Sequence, residues 1–164
     1  MQTYYLTKYL TAKYNDKKIV IDAGALQMIE LEWITNRPNF VLTPHAREFE
    51  DLFGMSSTNE NVLKISKKLN TIILRKGVED IACKSDNCVI IKGGNAGMTK
   101  GGTGDVLAGL IAALATKNDL FLATQIGSYV NKKSGEKLFE KVGYFFNASD
   151  LVGEIPKVLK EITT

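Results

Sequence analysis

The chain has 164 residues, of which 45% are hydrophobic and 24% are charged. This is the length of one domain, since single domains usually hold ~100–200 residues, and the composition is that of a globular protein with its own core. Its 21 Lys and Arg against 18 Asp and Glu leave a net charge of +3, too small to indicate a nucleic-acid partner. No apolar run approaches the ~18 residues of a membrane span, and the first residues lack the apolar core of a signal peptide. We therefore expect a cytoplasmic protein with no membrane partner.

Short Val- and Ile-rich runs alternate with longer periodic runs in the first half of the chain, which is typical of an α/β fold. Pro44 and Gly54 mark the start and end of one predicted helix. The predicted elements are, in order, strand 18–22, helix 25–35, strand 39–43, helix 46–53, a helix that Thr58 caps and that continues to Leu69, and strand 71–74.

Residues 79–83 and 88–92 read as a hairpin around a polar turn, which predicts a mixed sheet. The hairpin carries both cysteines of the chain, Cys83 and Cys88. The single histidine leaves no ligand set for zinc. Since disulfides are rare in the cytosol, we expect two inert thiols.

The last third of the chain reads as helical cover. Residues 105–116 are apolar on nearly every face, which predicts a helix buried on all sides. A second helix is predicted over residues 120–140, and Pro156 is expected to start a final short helix.

Six glycines fall among the thirteen residues from Gly93 to Asp105, and they lead straight into the predicted apolar helix. Such a density costs chain entropy unless the backbone needs unusual angles or close approach to a ligand. At a helix start, unpaired amides and the positive end of the helix dipole suit phosphate. The alternative is a flexible loop with a glycine-rich helix entry.

Two common nucleotide motifs are excluded for this loop. A P-loop needs Lys after its second glycine, and counting from Gly97 the residue after Gly102 is Thr103. A dinucleotide fingerprint opens the first helix of its domain, whereas here several predicted strands and helices precede the loop.

Five polar side chains near predicted strand ends or helix starts are candidates for chemistry. Asp105 is either a helix N-cap or a base beside bound phosphate. His45 and Glu48 lie one helical turn apart and face either solvent or a shared cleft. Lys76 is either a solvated turn lysine or a nucleotide contact. For Asp22 we favour a simple N-cap over a cleft position.

Five segments, in this order, resemble the ADP- or ATP-dependent NAD(P)H-hydrate dehydratases of the ribokinase-like superfamily. They are VIDAGAL, LTPHAREFEDLFG, LRKGVED, GNAGMTKGGTGDVLAG and ASDLVGEIP. The resemblance spans residues 18–160. It implies a layered α/β/α fold with a mixed, mainly parallel sheet, held by a single partial domain over residues 1–164.

The resemblance implies an enzyme that uses ADP or ATP, with Mg²⁺, to phosphorylate the ring hydroxyl of hydrated NADH or NADPH and then eliminate phosphate. Asp105 would be the catalytic base and contact the substrate together with His45, Glu48 and Phe49. Glu48 would also approach magnesium through water. The implied adenine-nucleotide contacts are Lys76, Gly77, Val78, Glu79, Asp80, Asn95, Ala96, Gly97, Met98, Gly101, Gly102, Thr103 and Gly104.

Members of this family begin with a glycine-rich portion that this sequence lacks, so we expect an N-terminally truncated fold in which residues 1–17 are the remnant of a helix. An incomplete sheet exposes apolar edges, which predicts a homo-oligomer or a partner that supplies the missing portion. Two other functions stay open: a ribokinase-like kinase for a small vitamin-precursor alcohol, and a non-catalytic nucleotide-binding module.

Overall fold

The computed structural model describes residues 2–163 as a five-stranded sheet with helices on both faces. Strands and helices alternate up to the third strand, as the sequence predicts. The elements are α1 (Gln2–Lys13), β1 (Ile19–Ile21), α2 (Ala23–Met28), α3 (Leu31–Ile34), β2 (Phe40–Leu42), α4 (Ala46–Phe53), α5 (Asn59–Leu69), β3 (Ile72–Arg75), β4 (Asp80–Lys84), β5 (Asn87–Ile91), a 3₁₀ turn (Ala96–Met98), α6 (Thr103–Ala115), α7 (Leu120–Val142) and α8 (Ala148–Thr163).

The strands follow one another in the sheet in the order β1-β2-β3-β4-β5. The first three are parallel, and β4 and β5 are added as an antiparallel hairpin. The mixed sheet is therefore confirmed, with parallel and antiparallel pairings in equal number among the described strands.

Alternate residues of the central strands point into two separate cores. Phe40 and Leu42 of β2 pack with Phe49 of α4 under the helices that lie between β1 and β3. Val41 points to the other face, where it joins Ile111 of α6 and part of α7. Helices thus cover both faces of the sheet, which confirms the layered α/β/α architecture, and α8 packs against α6 and α7.

The helix predicted over residues 25–35 is two helices, so that prediction is wrong. Ile29 and Glu30 are both extended and separate α2 from α3. In one continuous helix, positions 29 and 34 would lie about 140° apart around the axis. The break lets both Ile29 and Ile34 reach the core, where they are 6% and 0% exposed.

Pro156 lies inside α8 rather than at the start of a helix, which corrects a second prediction. A proline in a helix removes one backbone hydrogen bond, here to the carbonyl of Val152. Both residues lie on the exposed side of α8, so water can solvate that carbonyl while Leu151, Ile155 and Val158 keep the other side buried.

Helix α6 is not buried on all sides, contrary to the sequence prediction. Leu107, Ile111 and Ala115 face the core, whereas Asp105 and Gly109 lie on an open side of the helix. Small apolar residues on the open side make the sequence look more buried than the helix is.

The cysteines also differ from expectation, because Cys83 and Cys88 form a disulfide. They face each other directly across the β4–β5 hairpin, and their Cα atoms lie 4.2 Å apart. Directly opposed residues of an antiparallel pair bring their side chains together. The expectation of free thiols used only the rarity of cytosolic disulfides and not this hairpin geometry.

The topology brings the carboxyl ends of β1, β2, β3 and β5 and the start of β4 to one edge of the sheet. The loops after β1, β2, β3 and β5 leave the sheet there, and β4 begins there. In open α/β sheets this edge is where ligands bind. Within residues 2–163 no helix is long and apolar enough to cross a membrane.

Candidate nucleotide site

A cavity of about 690 Å³ lies at this edge of the sheet. Its walls are the loop after β3, the glycine-rich loop after β5, the first turn of α6 and one side of α7. The candidates that line it are His45, Lys76, Gly77, Val78, Asp80, Asn95, Ala96, Met98, Thr103 and Gly104. Most of the predicted nucleotide contacts thus meet in one cavity.

The first turn of α6 presents free amides to this cavity. Gly102 precedes the helix with φ +88°, a left-handed conformation that favours glycine. The Thr103 amide reaches the Lys100 carbonyl only at 3.4 Å, and no acceptor in the described chain takes the amides of Gly104 or Asp105. These donors, together with the helix dipole, make the turn suitable for an anion.

A lysine stands beside these amides. Lys76 Nζ lies 2.7 Å from Asp22 Oδ1, and the two side chains are 20% and 11% exposed. A Cβ placed on Gly104 would lie 3.5 Å from Lys76 Nζ, so the ammonium lies next to Gly104. Asp22 occupies the N-cap position of α2 but makes no side-chain cap bond, which corrects the simple N-cap expectation.

His45 and Glu48 form a reciprocal cap on α4. The Glu48 amide donates to His45 Nδ1 at 3.1 Å, and the His45 amide donates to Glu48 Oε2 at 2.8 Å. His45 lines the cavity and stays half exposed, whereas the Glu48 side chain is 10% exposed. Phe49 is fully buried in the core, so its side chain does not reach the cavity.

The other predicted site residues lie around the cavity rather than in its wall. Asp105 follows Gly104 directly, but its side chain is exposed on the open side of α6 and has no hydrogen-bond or ion-pair partner in the described chain. Glu79 pairs with Lys92 on the surface at 3.4 Å. The backbone of Gly97, Gly101 and Gly102 shapes the loop that leads to α6.

Sequence reasoning missed the side of α7 that closes the cavity. Asn131 and Lys132 line it while being only 5% and 7% exposed. The Asn131 side-chain oxygen is buried and has no partner among residues 2–163, and Ser128 donates to the buried carboxylate of Asp80 at 2.8 Å. The sequence does carry a signal for this surface. Positions 128, 131 and 132 are polar and are spaced three and four residues apart, which places them on one face of the predicted helix.

No group of three or more His, Cys, Asp or Glu side chains in residues 2–163 is arranged to hold a metal ion. Magnesium commonly keeps several waters and binds through one or two carboxylates plus substrate phosphates. The cap uses Glu48 Oε2, and Oε1 accepts no hydrogen bond from the residues that the structure describes. The residues present therefore fit a water-mediated contact to a nucleotide-bound ion and not a protein-made cage.

The fold is that of ribokinase-like proteins of known structure. A ribokinase-like protein from Enterococcus faecalis matches with a TM-score of 0.85 and 25% identity, over 96% of this chain and 58% of that one. An ADP/ATP-dependent NAD(P)H-hydrate dehydratase from Bacillus subtilis, co-crystallised with ATP and Mg²⁺, matches with a TM-score of 0.73 and 26% identity, over 87% of this chain and 54% of that one.

Sequence relatives agree with the structural ones. A bifunctional NAD(P)H-hydrate repair enzyme of Methanocaldococcus jannaschii is 44% identical over 95% of this chain. An ADP-dependent (S)-NAD(P)H-hydrate dehydratase of Nitrosopumilus maritimus is 35% identical over 88% of it. The chain spans 30% of the first relative and 53% of the second. The NAD(P)H-hydrate dehydratase family model matches residues 3–157, and the chain belongs to that family.

Proposed function

We propose that this chain binds ADP or ATP in the cavity and takes part in the nucleotide-dependent dehydration of hydrated NADH or NADPH. The observation that carries the proposal is the first turn of α6, where the amides of Gly104 and Asp105 have no acceptor in the described chain and the Lys76 ammonium lies beside Gly104. Amides and an ammonium at one point stabilise the phosphates of a nucleotide and the charge that develops during transfer.

The nucleotide is proposed to lie along the two loops that end at this turn. Its phosphates meet the Gly101–Gly104 backbone and Lys76, and its base and ribose lie against residues 77–80 and 95–98. The cavity is continuous between these segments, which gives a single ligand a path from the helix start to the far loop. The glycines have no side chain, which lets the backbone approach the ligand closely.

In the proposed reaction the hydroxyl oxygen of the hydrated nicotinamide ring attacks the terminal phosphorus of the nucleotide. The bond from that phosphorus to the bridging oxygen breaks, which releases ADP from ATP or AMP from ADP. Asp105 takes the hydroxyl proton. The carbon–oxygen bond to the phosphate then breaks and releases inorganic phosphate, while a proton passes from the adjacent ring carbon to water, which restores the ring double bond. Magnesium would be held by the phosphates and, through water, by Glu48, and would supply neutralising charge there.

The substrate is proposed to lie across the α6 start from the nucleotide. Asp105 projects on the open side of α6 rather than into the cavity, so the two reactants would meet at the helix start from opposite sides. His45 at the cavity rim is proposed to contact the substrate. This placement explains why Asp105 has no protein partner in the described chain.

We further propose that another polypeptide surface covers α1, either a second copy of the chain or the portion that its relatives carry in addition. The helix buries Thr7 and Thr11 and exposes Tyr5, Leu6 and Tyr9, which reverses the usual placement of polar and apolar residues. An exposed apolar face of this kind commonly marks an interaction site. The adjoining β1 is an edge strand of the sheet, and such an edge is open to pairing.

The test is a dehydration assay on hydrated NADH with ATP and with ADP, across protein concentration, with product analysis. Release of NADH and inorganic phosphate supports the proposal, and a specific activity that rises with concentration supports assembly. A stable phosphorylated alcohol as product would favour a small-molecule kinase. Nucleotide binding without turnover at any concentration would leave a non-catalytic nucleotide-binding module. A cytoplasmic location is proposed with this function, since its substrates are dinucleotides of central metabolism.

A further inference from the structure

We infer that Lys132 is a positioning residue that holds together the two loops against which the nucleotide lies; the inference rests on the proposed function. Lys132 Nζ lies 3.0 Å from both the Gly77 and Val78 carbonyl oxygens in the loop after β3. It lies 3.2 Å from the Gly93 carbonyl oxygen at the start of the glycine-rich loop. One ammonium from α7 therefore ties together two segments that form opposite parts of the cavity wall.

The ammonium has no donor left for a ligand. Besides the three carbonyls, Asp80 Oδ1 lies 3.2 Å from Lys132 Nζ, and the two side chains are 8% and 6% exposed. A lysine ammonium carries three N–H donors, so four oxygen neighbours occupy it fully. Lys132 lines the cavity but acts through the loops, unlike Lys76, which has one carboxylate partner.

Asp80 extends the same arrangement into the first loop. Its carboxylate accepts the Gly77 amide at 2.9 Å and the Ser128 hydroxyl at 2.8 Å. The turn after β3 is thereby fixed at one amide and two carbonyls, all through side chains that α7 or β4 bring beneath it. A buried pair with these extra hydrogen bonds is geometrically well defined.

The second loop is held at further points on α7. The Gly94 amide donates to Glu136 Oε1 at 3.1 Å, and the Asn95 side-chain nitrogen donates to the Gly135 carbonyl at 2.8 Å. These bonds fix the second loop to the helix but do not reach the first loop. The exposed Lys92–Glu79 ion pair does connect the two loops, but exposed ion pairs contribute little to stability. The pairing of Asp80 with Ile91 joins the two loops at their base, and beyond that base the link between them depends mainly on Lys132.

This assignment separates the base end of the ligand from the phosphate end. If Lys132 orders the loops, its removal lowers the fraction of binding-competent protein, and affinity falls by that fraction for any ligand that uses the loops. Adenosine and ADP then lose the same factor. If Lys132 instead contacted phosphate, only ADP would lose affinity. Lys76→Met is expected to show this second pattern, because Lys76 stands at the proposed phosphate end.

The experiment is calorimetric titration of adenosine and of ADP into the unaltered chain and into Lys132→Met. Lys133→Met is the matched control, since Lys133 is the next residue on α7, is more exposed, and bonds Glu136 Oε2 rather than the Oε1 that accepts the Gly94 amide. Lys132→Met is expected to lose about tenfold or more for both ligands, with factors that agree within about threefold, and Lys133→Met is expected to change neither affinity by more than that margin. If Lys132→Met does not fold, Lys132→Gln, which keeps amide donors, replaces it with the same expectation of equal losses.

The outcomes are distinct. Unchanged affinities in the Lys132 variant, or a loss confined to ADP, overturn the positioning role while leaving the proposed function standing. An unaltered chain that binds neither adenosine nor ADP overturns the proposed function, and the inference falls with it. Equal losses for both ligands, with binding retained in Lys133→Met, support the assignment.

Discussion

Gly104→Ala is expected to raise stability and lower nucleotide affinity at the same time. Gly104 is the second residue of α6, and its φ is not in the left-handed region. A Cβ there would lie 3.4 Å from Asp22 Oδ2 and 3.5 Å from Lys76 Nζ, which are ordinary contacts. The methyl group therefore fits the folded chain, and alanine is the better helix former.

The expected gain in folding stability and the expected loss of binding free energy are of comparable size. Glycine to alanine within a helix gains up to about 1 kcal/mol in free energy of unfolding. A phosphate oxygen bound to both the Gly104 amide and Lys76 Nζ must occupy the space beside that methyl group. We expect the ADP affinity to fall about tenfold or more, which corresponds to about 1.4 kcal/mol.

The control is Gly109→Ala on the same helix. A Cβ at Gly109 meets nothing within 4 Å, and the residue lies on the open side of α6, away from the cavity. Urea denaturation is expected to show both variants at least as stable as the unaltered chain, and calorimetry is expected to show weakened ADP binding in Gly104→Ala alone. Full ADP affinity in Gly104→Ala would refute a phosphate site at this turn.

Three further variants test the catalytic base, the helix entry and the packing of α8. Asp105→Asn is expected to keep ADP affinity and to lower turnover of hydrated NADH by ~10²-fold or more; unchanged turnover would reject Asp105 as the base. Gly102→Val is expected to abolish nucleotide binding in a titration, because a β-branched residue resists the φ of +88° found there; full affinity would show that this conformation is dispensable. The buried Glu154 has its pKa lowered by hydrogen bonds from Lys141 first and then Lys157. Its stabilising contribution is therefore complete above the unfolded-state pKa and is lost as pH falls through the lower folded-state value, so urea midpoints measured from pH 7 downward should fall with acidification less steeply in Glu154→Gln than in the unaltered chain.

Local signals in the sequence predicted the elements whose boundaries are set locally. Gly54 ends α4 in the left-handed conformation, and Thr58 caps α5 through its side chain, both as expected. The break between α2 and α3 carries no glycine or proline at positions 29 and 30. It follows from the need to bury Ile29 and Ile34 together, which is a tertiary requirement that periodicity alone does not reveal.

The candidate site likewise contains residues that local sequence signals predict and residues that only tertiary contacts bring together. Its glycine-rich loop and Lys76 were found because they form local motifs next to predicted strand ends. Lys132 was missed because its partners Gly77 and Val78 lie 55 and 54 residues away in the chain. The Asp22–Lys76 pair likewise spans 54 residues, and no spacing rule connects them. Long-range pairs of this kind become visible only once the sheet brings the strand ends together.

The most direct test of the proposed phosphate site is nuclear magnetic resonance of the ¹⁵N-labelled chain during titration with ADP. Bound phosphate oxygens should shift the backbone amide resonances of Gly104 and Asp105 strongly downfield, since these two donors are otherwise unpaired in the described chain. The amide resonance of Gly109 on the same helix should keep its chemical shift. Saturation with ADP that leaves the Gly104 and Asp105 resonances unmoved would contradict the central claim.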